Sequence, residues 1–161
     1  MANAYYGKNI VGELCDAMTL PNATTKDSTA MVFIGGPTNG QLWIDVYANT
    51  ALAVLTTSTF SIEFQSFSSD LAASAIPPFS TANKGGIPGA TGTAESDAHL
   101  YLMHKTAADG ALAISIGSLI AQMAIPEDLC RLLAHDYVQL TFLTDENLSA
   151  QTVDAFVYVK F

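Results

Sequence analysis

Charge is scarce in this chain and basic charge is scarcest: 13% of its 161 residues are charged, with 6 Lys and Arg against 15 Asp and Glu. The net charge of −9 repels phosphate backbones and anionic headgroups over about a Debye length, so neither nucleic acid nor a membrane surface is an expected partner. Cysteine is nearly absent. Cys15 and Cys130 stand far apart and form no C-x-x-C pair, which argues against a disulfide framework and for two buried reduced thiols. The apolar stretch 110–125 is shorter than the ~20 residues of a spanning helix and is interrupted by Ser115, Gly117, Ser118 and Gln122. Tyrosines and a lysine occupy the first nine residues, where a secretory signal would carry its apolar region, so no export signal is expected.

Catalytic signatures are missing as well. No G-x-S-x-G is present, and Ile116-Gly117-Ser118-Leu119 lacks the second glycine of a nucleophile elbow. The glycine-rich run 85–92 is followed by no Gly-Lys-Ser/Thr, so it reads as a loop rather than a phosphate cradle. His99 and His104 are an odd number of positions apart in one predicted strand and point to opposite faces, while His135 follows a helical turn. A metal centre needs ligands converging from one side. The chain is therefore expected to be a non-enzyme without metal or cofactor.

What is present is period-two alternation. In 152–161, Val153, Ala155, Val157, Val159 and Phe161 fall on one side and Asp154, Phe156, Tyr158 and Lys160 on the other, the pattern of a strand with one buried face. Further strands are predicted at 31–34, 42–47, 53–55, 59–67, 98–104, 112–119 and 137–143. Glycine and proline punctuate them at 35–40, and Asp109-Gly110 predicts a tight hairpin. Between 125 and 136 the period changes: Pro126, then Glu127 and Asp128, then Leu129, Leu132 and Leu133 at helical spacing predict one short helical turn. About eight strands with turns between them fit an all-β fold, an antiparallel two-sheet β-sandwich or jelly roll.

A chain of this length suits one domain with its own core. Residues 1–30 are weakly periodic and are expected to form an N-terminal arm, with the sandwich over 31–161. Within it, 71–97 is rich in Ala, Ser, Thr, Gly and Pro and contains Pro77-Pro78, so it is read as an extended partner-binding loop. Tyr5 and Tyr6 on the arm, and Ile76, Phe79, Lys84 and Ile87 on the loop, are the candidate partner contacts. A second constellation is Trp43, Asp45 and Tyr47, which share a strand face opposite Leu42, Ile44 and Val46. An aromatic face beside a carboxylate suits a sugar platform, although such residues also pack under loops or in subunit contacts.

The C-terminal third, with Pro126 and its acidic turn, Asp136-Tyr137-Val138-Gln139-Leu140-Thr141-Phe142, a polar hairpin, and Thr152-Val153-Asp154-Ala155-Phe156-Val157, resembles the jelly-roll capsid cement proteins of tailed bacteriophages. The likeness is to those similar to the cement protein of Bordetella phage. Leu14-Cys15-Asp16-Ala17-Met18 is similar to the short Asp-Ala motif near that family's start. The resemblance implies a non-enzymatic decoration protein, made in a host cytoplasm and located on the outer surface of the virion. Its partners would be the major capsid protein and itself, as a homodimer or homotrimer. The alternatives are a carbohydrate-binding β-sandwich using Trp43, Asp45 and Tyr47, and, third, a cupin-like metalloenzyme.

Overall fold

Apolar side chains at alternate positions of four strands supply the two inner faces of the molecule. In the computed structural model, which describes residues 8–67, 100–132 and 134–161, Leu42, Ile44 and Val46 lie on β4 (Gln41–Ala48), and Val153, Ala155 and Val157 on β11 (Thr152–Lys160). They meet Phe60, Ile62 and Phe64 of β6 (Phe60–Phe67) and Val138, Leu140 and Phe142 of β10 (Tyr137–Thr144). All twelve are buried. The remaining strands are β1 (Asn9–Thr19), β2 (Thr25–Asp27), β3 (Val32–Phe33), β5 (Leu52–Val54), β7 (Tyr101–Lys105), β8 (Leu112–Ile114) and β9 (Leu119–Ala124). The one α-helix among the described residues is α1 (Glu127–Leu132), where the acidic turn after Pro126 predicts it.

The first sheet has the order β1-β11-β4-β9 and the second β2-β10-β6-β7, with β3 continuing the edge beside β2; β5 and β8 form a separate ribbon. Every described pairing is antiparallel. Apart from β2 to β3 and β6 to β7, each connection carries the chain from one sheet toward the other. That alternation makes the sandwich a jelly roll.

Several expectations are corrected. From Asn9 on, the expected arm is part of the sandwich: β1 pairs with β11 along its length and β2 pairs with β10. Its periodicity is obscured by register shifts in β1, one of which falls between Cys15 and Met18 and includes Ala17 at φ +46°. This left-handed conformation is uncommon for a residue with a Cβ. The Ala17 N–H is held by Asp154 Oδ1 at 2.6 Å, on the neighbouring strand. The predicted strand 112–119 is two, β8 and β9, separated by a turn with Gly117 at φ +77°. Asp109-Gly110 joins no hairpin: Ala107–Asp109 is a 3-10 turn with a Thr106/Asp109 capping box, and it links β7 to β8, which pair with other strands. The 71–97 loop lies outside the described residues.

The polar hairpin before β11 closes one end of the sandwich. Asp145 Oδ1 accepts the Thr59 N–H at 2.8 Å, Glu146 Oε2 accepts the Leu55 N–H at 3.0 Å, and Asn147 bridges to Asn22. The β3–β4 loop and α1 lie together at the other end, where Glu127 Oε2 accepts the Leu42 N–H at 3.0 Å. There Gly35 lies so close to its neighbour that a Cβ on it would sit 2.7 Å from Asp136 Oδ1.

Candidate functional site

Strand alternation places Trp43, Asp45 and Tyr47 on the outer face of the first sheet, as the sequence predicts, and cross-strand register brings further residues to them. Asp45 stands opposite Phe156 of β11 and Gln122 of β9, while Trp43 stands opposite Tyr158. The Asp45 carboxylate is fully buried, and each oxygen is engaged. Oδ1 accepts from Gln122 Nε2 at 2.8 Å, while Oδ2 accepts from the Tyr47 hydroxyl at 3.1 Å and from the Lys8 ammonium in an ion pair. Lys8 Nζ also donates to the Tyr47 hydroxyl at 2.9 Å, and Gln122 Nε2 lies 3.0 Å from the Tyr158 hydroxyl. Buried charge is tolerated when it is paired and hydrogen-bonded in this way.

Aromatic rings complete the cluster. Lys8 Nζ lies 4.5 Å from the Tyr158 ring centroid, 5.2 Å from Tyr47 and 5.3 Å from Phe156, within cation–π range of all three. Tyr47 and Phe156 stack at 5.8 Å. Burial works against the Lys8 ammonium, but its hydrogen bonds to Asp45 and Tyr47 and the Asp45 charge prevail and raise its pKa. Burial, then the Asp45 charge, raises that of Tyr158. Trp43 lies to one side under the Lys160 ammonium, 4.3 Å from its ring, with its indole N–H buried and without a hydrogen-bond partner among the described residues. Asp45 and Tyr47 therefore spend their polar groups inside the protein. This leaves the expected sugar platform without a free carboxylate.

Sequence reasoning missed Lys8, Gln122, Phe156 and Tyr158 as members of this cluster. Alternation does put Phe156 and Tyr158 on the outer side of their strand, but their proximity to Asp45 depends on register between strands remote in sequence. The other candidate contacts, Tyr5, Tyr6, Ile76, Phe79, Lys84 and Ile87, lie outside the described residues.

Asp154, buried on the same face one residue pair along, is the partner of Ala17. Burial raises its pKa above the ordinary aspartate value; the Ala17 hydrogen bond opposes this and the Asp16 carboxyl adds to it. The native state thus holds this proton more tightly than the unfolded chain, so the contribution to stability is complete below pH 3.8 and is lost as pH rises through the folded value. Asp154→Asn keeps an oxygen for Ala17 and removes the titration. Melting curves of the two proteins should show the variant gaining on wild type as pH rises from about 3.5 to 7. A constant difference across that range would contradict the assignment.

At the end near α1, a cavity of ≈ 230 Å³ is lined by Gly35, Thr38, Glu127, Cys130, Arg131 and His135, among others. Ser66 Oγ lies 3.1 Å from His135 Nδ1. Burial lowers the His135 pKa and pushes the Cys130 thiol up to about 11, so at neutral pH neither carries the charge of an activated pair. Cys15, between β1 and β11, is pushed up to about 12, again by burial first. Both cysteines are free, buried thiols. Thiol reagents at pH 8 should alkylate Cys130 about 100-fold and Cys15 about 1,000-fold more slowly in the folded protein than after denaturation, as follows from thiolate fraction alone; mass spectrometry of quenched samples reads the two sites separately.

His104 is elsewhere, 2.6 Å from Ser61 Oγ and stacked on Tyr101. Among the described residues no group of three or more His, Cys, Asp or Glu side chains is placed to hold a metal ion, and no helix is long and apolar enough to cross a membrane. In comparisons with known proteins, no family model and no curated protein matches the chain.

Proposed function

We propose that the protein is a non-enzymatic capsid decoration protein that binds the outer surface of a tailed-phage head and ties neighbouring major capsid subunits together. The observation that carries this reading joins the resemblance to the fold. The segments 14–18 and 152–157, which lie far apart in sequence and both resemble the cement family, are neighbouring strands, with Cys15 opposite Ala155 and Met18 opposite Val153. The Asp-Ala motif forms the irregular turn of β1, and Asp154 of the second segment clips it. Two segments that depend on each other structurally make a stronger likeness than either alone.

Three further features agree. The jelly roll is the architecture that the resemblance implies. Phe33 and Leu132, 51% and 81% exposed, lie at the end formed by the β3–β4 loop and α1, and give it apolar groups for a protein surface. The acidic balance keeps the protein off the packaged genome and membranes. A homodimer or homotrimer engaging several capsid subunits gains avidity, because its later contacts are effectively intramolecular. Tyr5, Tyr6, Ile76, Phe79, Lys84 and Ile87 remain part of the proposal as contact residues.

Sedimentation of purified protein with assembled heads and with free capsid subunits tests this. Tight, saturable binding to heads and weak binding to free subunits is expected. Absence of binding to heads at micromolar protein would remove the reading.

A further inference from the structure

The Lys8 ammonium sits in a binding site. Three rings from two adjacent strands, Tyr47, Phe156 and Tyr158, face it at 4.5 to 5.3 Å, and a fully buried carboxylate and a phenol oxygen accept its N–H groups. The parts surrounding it are held by the sheet rather than by the lysine. Register sets Asp45 beside Phe156, Gln122 fixes the second carboxylate oxygen, and the Tyr47 hydroxyl donates to Asp45 while presenting a lone pair to Lys8. Lys8 itself stands just outside β1, on a backbone that no strand pairing holds. Side chains held by the sheet thus surround an occupant tethered to the chain.

We propose that the outer face of the first sheet carries an alkylammonium-binding cage, built from Asp45, Tyr47, Phe156 and Tyr158, that Lys8 occupies as an intramolecular ligand and latch for the start of β1. Aromatic faces attract the positive charge through their quadrupole, and the desolvated carboxylate adds a full countercharge. Because Asp45 and Tyr47 both accept N–H hydrogen bonds from the occupant, the cage favours a primary ammonium over a quaternary one, which has no N–H to give. Its ligand class is thus the lysine side chain and small primary amines. The cage is independent of whether the protein decorates a shell.

Chemical rescue tests this. Lys8→Ala empties the cage and should lower the melting temperature; methylammonium should then restore most of the loss in a saturable manner, with a dissociation constant of about 1–10 mM for so small a ligand. Tetramethylammonium and sodium at equal ionic strength should restore little. Wild type should not respond, since Lys8 fills the cage, and Lys8→Ala combined with Asp45→Asn should not be rescued. Equal recovery with sodium, rescue that survives Asp45→Asn, or a Lys8→Ala protein that melts like wild type would each overturn the proposal. If Lys8→Ala does not fold, the wild-type chain decides: ring currents should move the Lys8 ε-methylene protons upfield, and Lys8 should be reductively methylated at least ten times more slowly than Lys26, whose ammonium bonds the Thr19 carbonyl and hydroxyl at the surface. Equal rates and unshifted protons would exclude the cage.

Discussion

Lys105→Met is expected to lower stability by about 3 kcal/mol, a drop in melting temperature of roughly 6–12 °C for a domain of this size. Lys105 ends β7 with its side chain buried. Its ammonium lies 2.6 Å from the Ser58 carbonyl oxygen, 2.8 Å from that of Leu55, 3.2 Å from that of Thr106 and 3.4 Å from that of Thr56. These carbonyls belong to the turn between β5 and β6 and to the residue after β7, so one side chain ties the ribbon end to the second sheet. Methionine fills the space but gives nothing to the oxygens, and buried acceptors left without a donor cost about 1–3 kcal/mol each where water does not replace the donor. Lys105→Arg should recover part of the loss. Thermal melts of the two variants check this; a methionine variant as stable as wild type would mean that the turn holds its own shape.

Phe142→Ala should cost about 3–5 kcal/mol, the range for removing a buried phenylalanine. The ring is fully buried and belongs to the inner face of β10, where Phe142 pairs with Ile62 on β6. Its removal leaves a void between two sheets that are pinned by their ladders, so the walls have little freedom to collapse. Phe33, half exposed at the sandwich end beside the Tyr137 ring, is the control: Phe33→Ala should cost only about 1 kcal/mol. Urea denaturation of both variants gives the comparison. If they lose similar stability, the core has been placed in the wrong layer.

The parts of the fold legible in the sequence are those in which one strand carries its own evidence. β4, β6, β10 and β11 alternate cleanly, and α1 announces itself through Pro126, its acidic first turn and the leucines that follow. β1 was not legible because its register shifts place Leu14 and Cys15, which are consecutive, both in the core, which breaks the period on which a strand reading depends. Of the short strands, β3, β5 and β8 fall at or within the predicted 31–34, 53–55 and 112–119, whereas β2 is too brief to show a period of its own and is fixed by its pairing with β10. The same division runs through the site. Trp43, Asp45 and Tyr47 share a face by alternation, whereas Gln122, Phe156 and Tyr158 join them by register and Lys8, just before β1, joins through its side chain. A buried carboxylate surrounded by aromatic rings reads from one strand as an open sugar platform. Its partners on other strands turn it into a closed network.

Capsid decoration is tested most directly by adding the purified protein back to phage heads depleted of it and measuring genome release on heating. A ligand that binds the assembled shell and not its separated subunits stabilises the shell by mass action. Release should therefore move to higher temperature in step with the number of copies bound and level off when the sites are full. Heads that bind the protein to saturation and still release their genomes at the temperature of depleted heads would contradict the account.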